Sequence, residues 1–209
     1  MGYLLPAQYE AYGLGAETAD ELVTMASALM DGYCRRPSLM ATEYTERVRL
    51  FAGSQTIRLS YGPLLEGALV SGRVRYAKPR RGEDVGIHPE RNERFIQEVA
   101  TAFGLPGSWA MLDVSTVDVY AGTREVTLPG NLIGLAYNEV ELTYTAGFVT
   151  VPVHVMAACA QIVKNAQAIP ALNVKTSRLD TMQMEYFSGS LVDDGVAAML
   201  KPYRAERLG

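Results

Sequence analysis

Two histidines, two cysteines, a pair of adjacent aspartates and one basic run are the side chains whose types and spacing could do chemistry in this sequence. His88 lies in the polar stretch around Lys78-Pro-Arg-Arg-Gly-Glu-Asp-Val-Gly86 and His154 opens an apolar helical pattern. As general bases or zinc ligands they have no matching partners, so His88 reads as a solvated loop residue and His154 as a satisfied helix residue. Cys34 and Cys159 are far apart in the chain, each beside helical pattern, and read as buried small hydrophobes in a reducing compartment rather than as a disulfide. Asp193-Asp194 could hold a cation, but adjacent acids ahead of an apolar helical stretch read first as cap and dipole partners. Arg73, Arg75, Lys78, Arg80 and Arg81 make the concentrated positive region, which Glu83, Asp84, Glu90 and Glu93 dilute. It reads as a salt-paired loop in preference to a nucleic-acid site.

The motifs that organise catalysis are missing from the sequence. There is no Gly-x-x-x-x-Gly-Lys-Ser/Thr phosphate loop, no Gly-x-Ser-x-Gly elbow, no His-Glu-x-x-His and no paired Cys-x-x-Cys. The expectation is a protein that is not an enzyme, with no cofactor, no catalytic residue and no metal ligand. Its 209 residues, 48% hydrophobic and 20% charged, suit one large domain or two small ones. A net charge of -4 argues against a protein that wraps free nucleic acid by neutralising phosphates. The longest apolar run, near Val151 to Ala160, is broken by Pro152 and His154 and falls short of the ~20 residues a bilayer requires, so no membrane partner is expected. Nor does Met1-Gly-Tyr-Leu-Leu-Pro begin like a secretory signal.

The elements that must position these residues follow from periodicity. Thr18-Ala-Asp-Glu21 fits a capping box, and Leu22, Met25, Ala26, Leu29, Met30 and Tyr33 then give one apolar stripe, closed by Gly32 and Pro37. From Glu43 the period becomes two: Val48, Leu50, Ile57, Leu59 and Tyr61 alternate with Arg47, Arg49, Arg58 and Ser60 around Ala52-Gly53-Ser54, predicting a hairpin with one wet face. Val117 to Leu128 predicts a second hairpin of similar pattern, a likeness that any short hairpin with a turn glycine produces. Glu90 to Phe103 predicts a short helix, and Glu139 to Thr145 resumes alternation through Val140, Leu142 and Tyr144. Gly147 then permits a bend, Thr150 and Pro152 suit a helix start, and the helix beyond is apolar on nearly all sides except for the line His154, Gln161, Asn165. Such a helix must be buried on nearly all sides, by its own domain or by a neighbouring subunit. Thr176 to Phe187 reads as extended, and Val196, Met199 and Leu200 as the apolar edge of a last helix before the basic, aromatic tail Lys201-Pro-Tyr-Arg204. The predicted fold class is α+β: a helical core of two main helices plus a short C-terminal helix, with a mostly antiparallel β insertion between the main helices. Residues 1–42 and 146–209 would form that core and its C-terminal arm, and residues 43–145 the β-rich insertion.

A strand ending Leu142-Thr-Tyr-Thr-Ala-Gly-Phe148, followed by Val151-Pro152 and the helix Val155-Met-Ala-Ala-Cys-Ala-Gln-Ile-Val163, resembles the head-tail connector (adaptor) proteins of tailed bacteriophages and related gene transfer agents. The capped first helix after a short Leu-Pro leader, the stretch Ile57-Arg-Leu-Ser-Tyr-Gly-Pro-Leu64 and the ending Met199-Leu-Lys-Pro-Tyr-Arg204 agree with it. The resemblance covers both ends and the strands flanking the middle, but not residues 77–112, and the simplest members of the family are nearly all helical. It implies a homo-oligomeric ring, commonly dodecameric, in the neck of a virion assembled in the host cytoplasm. Such a ring binds the portal protein on one side and neck or tail proteins, such as a stopper or tail terminator, on the other. DNA passes through it without sequence-specific binding. Carried onto this sequence, the arm residues Leu200, Lys201, Pro202, Tyr203 and Arg204 would meet the portal, and Val155, Met156, Cys159, Ile162 and Val163 would meet a neighbouring subunit. Deleting residues 199–209 is then expected to abolish portal docking and spare the fold. The alternatives are another neck or tail-completion protein of stopper type, or a non-viral carbohydrate- or protein-binding module, which the single tryptophan, Trp109, does little to support.

Overall fold

A computed structural model describes residues 2–50, 54–75, 108–130, 137–168, 176–179, 182–185 and 191–206. The chain divides into two compact units, Met1–Met40 with Phe148–Ala205, and Ala41–Gly147 with Glu206–Gly209.

The first unit holds α1 (Asp20–Cys34), α2 (Val153–Ala168) and α3 (Asp194–Leu200), with short 3-10 turns at Pro6–Gln8, Glu10–Tyr12 and Lys201–Tyr203 and a two-stranded ribbon of Thr176–Leu179 with Met182–Glu185. The first helix begins where the capping box predicts it, but not by that device: Ala19 is the N-cap and no side chain caps it. Asp20 and Glu21 instead place negative charge in the first turn, where the helix dipole is positive. The buried stripe runs Val23, Ala26, Ser27, Met30, Cys34, while Met25 and Leu29 lie exposed, so the helix is rotated from the stripe read in the sequence. Ser27 escapes a hydrophobicity count because it satisfies its hydroxyl on the Val23 carbonyl at 2.7 Å and so can be buried. Around this stripe pack Tyr3, Leu4, Tyr9, Leu14, Val155, Ala158, Cys159, Ile162, Val163, Val196 and Leu200. The amino-terminal segment is tied down by the Tyr3 hydroxyl, which donates to Asp31 and accepts from the Leu39 N–H at 2.8 Å.

Among its described residues the second unit holds seven strands: β1 (Thr42–Arg49), β2 (Thr56–Arg58), β3 (Leu64–Arg75), β4 (Ala110–Leu112), β5 (Asp118–Tyr120), β6 (Glu125–Thr127) and β7 (Glu139–Ala146). They form an antiparallel sheet of order β1-β7-β3-β4 and a second of order β2-β6-β5. Both sheets contribute to one apolar cluster that includes Tyr44, Ile57, Leu59, Val74, Leu112, Val126, Val140, Leu142 and Tyr144. Tyr144 is fully buried there, and its hydroxyl donates to Glu46 at 2.7 Å and accepts from the Tyr61 N–H at 3.3 Å.

These facts overturn the expected fold class of a helical core carrying a β insertion. Strands are about as prevalent as helices, and most of the largest fully buried side chains, among them Tyr144, Leu59, Leu142, Val74, Val126 and Val140, belong to the sheet unit. The physical reason is that period-two alternation gives most of these strands an apolar face, and those faces bury one another in a shared core. The first predicted hairpin is also corrected. β1 pairs with β7 and β2 with β6, so residues adjacent in sequence join different sheets. The second hairpin, β5 with β6, forms as predicted. The predicted helix at 90–103, and His88 with Lys78, Arg80 and Arg81, lie outside the described residues.

Candidate functional site

In the sheet unit, alternation and register build a charged face. Successive side chains of a strand point to opposite sides, so Val48, Val140, Leu142 and Val74 turn to the core and Arg47, Arg49, Arg73, Arg75, Glu139 and Glu141 turn to the other side. Arg47 and Arg73 each stand opposite Glu141, and Arg49 and Arg75 each stand opposite Glu139, so the central β7 carries a glutamate between two arginines at both positions. Glu139 receives Arg47 Nε at 2.8 Å and Arg75 Nε at 2.5 Å, with Arg49 Nε at 3.9 Å, and Arg73 Nη2 meets Glu141 at 2.7 Å. The indole of Trp109, one residue ahead of β4, lies 4.5, 4.8 and 5.3 Å from the guanidinium carbons of Arg75, Arg73 and Arg47. A cation held against an indole face is stabilised by the ring quadrupole, so Trp109 fixes three guanidiniums in one array.

The burial within this array is uneven. The Glu139 side chain is 1% exposed, whereas the Arg47 and Arg73 side chains are each 45% exposed. Burial alone would push the Glu139 carboxyl up; the hydrogen bonds and charges of Arg47 and Arg75 outweigh it and hold the carboxyl below its ordinary value. Four arginines surround two glutamates in this array, so it displays positive charge. The sequence indicated two parts of it separately, as Arg47 and Arg49 on a wet strand face and as Arg73 and Arg75 in a basic run. The joining signal is the pairing of β1 and β3 on either side of β7, which local pattern does not carry.

In the helical unit the candidate residues separate by burial. Val155, Cys159, Ile162 and Val163 are fully buried in that unit's own core and Met156 is partly buried against it. Four of the five side chains assigned to a neighbouring subunit are thus enclosed by their own chain. Leu200 is also fully buried, while Lys201, Pro202 and Arg204 are exposed and Tyr203 is half-buried. Tyr203 lies edge-on to Phe148 at 5.0 Å between ring centroids and stacks on His154 at 5.2 Å, with its hydroxyl bonded to His154 Nε2. Arg204 lies over Tyr33 at 5.8 Å, and the Ala205 N–H donates to the Cys34 carbonyl at 2.9 Å.

The polar line of α2 has a defined use. Gln161 donates to Asn165 at 2.9 Å, and Asn165 donates to the Leu191 carbonyl at 3.1 Å and to Asp193 at 2.9 Å. Asp193 is the N-cap of α3 and accepts from the Val196 N–H at 2.8 Å, which holds its carboxyl below the ordinary value, with Asn165 adding to the effect. His154, Gln161 and Asn165 therefore fasten residues 191–203 along the helix. Cys34 and Cys159 are free thiols; burial pushes Cys34 up to about 11 and raises Cys159 as well, so neither is poised as a nucleophile. Among the described residues no group of His, Cys, Asp or Glu is placed to hold a metal ion, and no helix is long and apolar enough to cross a membrane.

Compared with known proteins, the chain matches no protein-family model and no curated relative.

Proposed function

We propose that the chain is a structural protein of the virion neck, a head-tail connector that joins the portal to neck or tail proteins as a homo-oligomeric ring through which DNA passes. The observation that carries this is the way the carboxy-terminal segment is presented. Leu200 and Tyr203 anchor it inward, against the core and against Phe148 and His154, while Lys201, Pro202 and Arg204 face outward. Val149 and Val153, flanking the residues that grip Tyr203, are 71% and 68% exposed. A patch of exposed apolar and cationic groups backed by a held aromatic ring has the composition of a protein-binding surface, and Tyr203, fixed between Phe148 and His154, has little side-chain entropy left to lose on docking. Together with the resemblance at Tyr144 to Val163 and at the carboxy terminus, it supports a partner-binding role for the arm.

The expected truncation experiment changes in one respect. Removing residues 199–209 takes away Leu200 and the Ala205 bond to Cys34, so it damages the helical unit as well as the arm. Lys201→Glu with Arg204→Glu is the cleaner test, since both residues are exposed. Co-purification with the portal protein of the same particle should fall by about tenfold or more in affinity, equivalent to ~1.4 kcal/mol, with an unchanged melting profile. Undiminished portal binding, or binding to the tail tube instead, would count against the connector assignment.

A further inference from the structure

Portal docking by the arm leaves the arginine face of the sheet unit without a role. We propose that this face, centred on Arg47 and Arg73, is a contact for a nucleic-acid phosphate backbone, weak and indifferent to sequence. Each of these guanidiniums has five N–H donors. Glu139 engages Arg47 through Nε and Glu141 engages Arg73 through Nη2, so donors remain on both beyond those their glutamates use. Both side chains are 45% exposed, which leaves those donors within reach of solvent.

The rest of the face suits phosphate better than an acidic peptide. Register places Thr45, Thr143 and Ser71 on the same side as the arginines, with the Thr45 and Thr143 hydroxyls 3.0 Å apart; the exposed Glu43 lies on that side too, at the end of β1 away from Arg49. Arginine with serine and threonine hydroxyls is the donor set that holds phosphate and sugar oxygens, and it positions a backbone without reading bases. Arg47 and Arg73 stand on β1 and β3 at the same level on either side of β7, so two strand spacings, about 10 Å in all, separate their backbones and give the face two cationic points for an extended polyanion. Trp109 holds three of the guanidiniums in place, so the array is ordered before a ligand arrives. Glu139 and Glu141 offset part of the positive charge, and the chain as a whole carries -4. The contact is therefore weak, as suits a polymer that must move past it. That the polymer is DNA rests on the connector assignment; the anion site rests on the geometry of the face.

Trp109 is the sole tryptophan, so intrinsic fluorescence of the full chain reports this face directly. Titration with a short DNA duplex of arbitrary sequence should change that fluorescence with a dissociation constant of about 10⁻⁶ to 10⁻⁴ M, weakening as salt rises. Arg73→Gln, beside the partly exposed Glu141, should bind more weakly and lower the salt slope by about one, and Arg47→Gln with Arg73→Gln by about two. Polyglutamate peptide should produce no comparable response. A duplex that leaves the fluorescence unchanged, variants that bind as the parent does, or polyglutamate binding in place of DNA would overturn the proposal. Portal association of Arg73→Gln is expected to stay intact, so failure of the DNA titration alone refutes this inference and leaves the arm's role standing.

Discussion

Glu139→Gln tests whether the sheet unit depends on its buried carboxylate. The residue is enclosed, with guanidinium hydrogen bonds at 2.8 Å from Arg47 and 2.5 Å from Arg75. Hydrogen bonds to charged groups contribute about 1.5–3 kcal/mol each. Glutamine keeps the shape and one carbonyl acceptor, so it retains roughly 1 kcal/mol of that as a neutral bond, but it leaves three guanidiniums sharing an uncharged amide. The net loss is about 3 kcal/mol, the lower end of what breaking a buried ion pair costs. For a chain of 209 residues this corresponds to a fall of roughly 6–12 °C in Tm. Differential scanning calorimetry with urea unfolding at neutral pH would measure it. The pH dependence supplies a second check. Because the folded carboxyl is held below its ordinary value, its contribution is complete above the unfolded value and is lost as pH falls through the folded one. Parent and variant should therefore converge in acid. A neutral-pH difference under ~0.5 kcal/mol, within the range of ordinary surface substitutions, would refute the assignment of Glu139 as the keystone of the array.

Two further substitutions probe the arm. Asp193→Ala removes the N-cap of α3 and a partner of Asn165, and should destabilise the helical unit by about 1–2 kcal/mol; since the Asp193 carboxyl is also depressed, urea midpoints of parent and variant should draw together as pH falls. Leu200→Ala empties a fully buried site and should cost about 3–5 kcal/mol, read by urea denaturation, whereas Lys201→Glu at the next position should cost almost nothing.

What was legible in the sequence is what local physics decides. The alternation at Val140, Leu142 and Tyr144 gives β7, the Asp193-Asp194 pair gives the start of α3, and Gly147, at φ 122, marks the corner between strand and helix. Partner choice was not legible. β1 and β2 are neighbours in sequence with matching alternation, yet each is completed by a strand that follows more than sixty residues later (β1 by Glu139–Ala146, β2 by Glu125–Thr127), because the burial of one whole face outweighs the ease of a short turn. An apolar helix shows in the sequence by its hydrophobicity alone, whereas a sheet core emerges only when strands are paired, which is why the helices stand out in the sequence and the sheet core does not. The apolar excess of α2 fits burial by its own domain or by a neighbouring subunit equally well in the sequence; in the structure Val155, Cys159, Ile162 and Val163 fill the core of their own unit. The arginine face was spread over residues 47 to 141 and became one site only through the register of three strands.

The most direct measurement of the connector assignment is electron microscopy of the purified chain, alone and mixed with the portal protein of its particle. The assignment predicts that the portal acquires an added ring of this chain on one face, absent from portal alone. Globular monomers in both samples, with no density added to the portal, would contradict it.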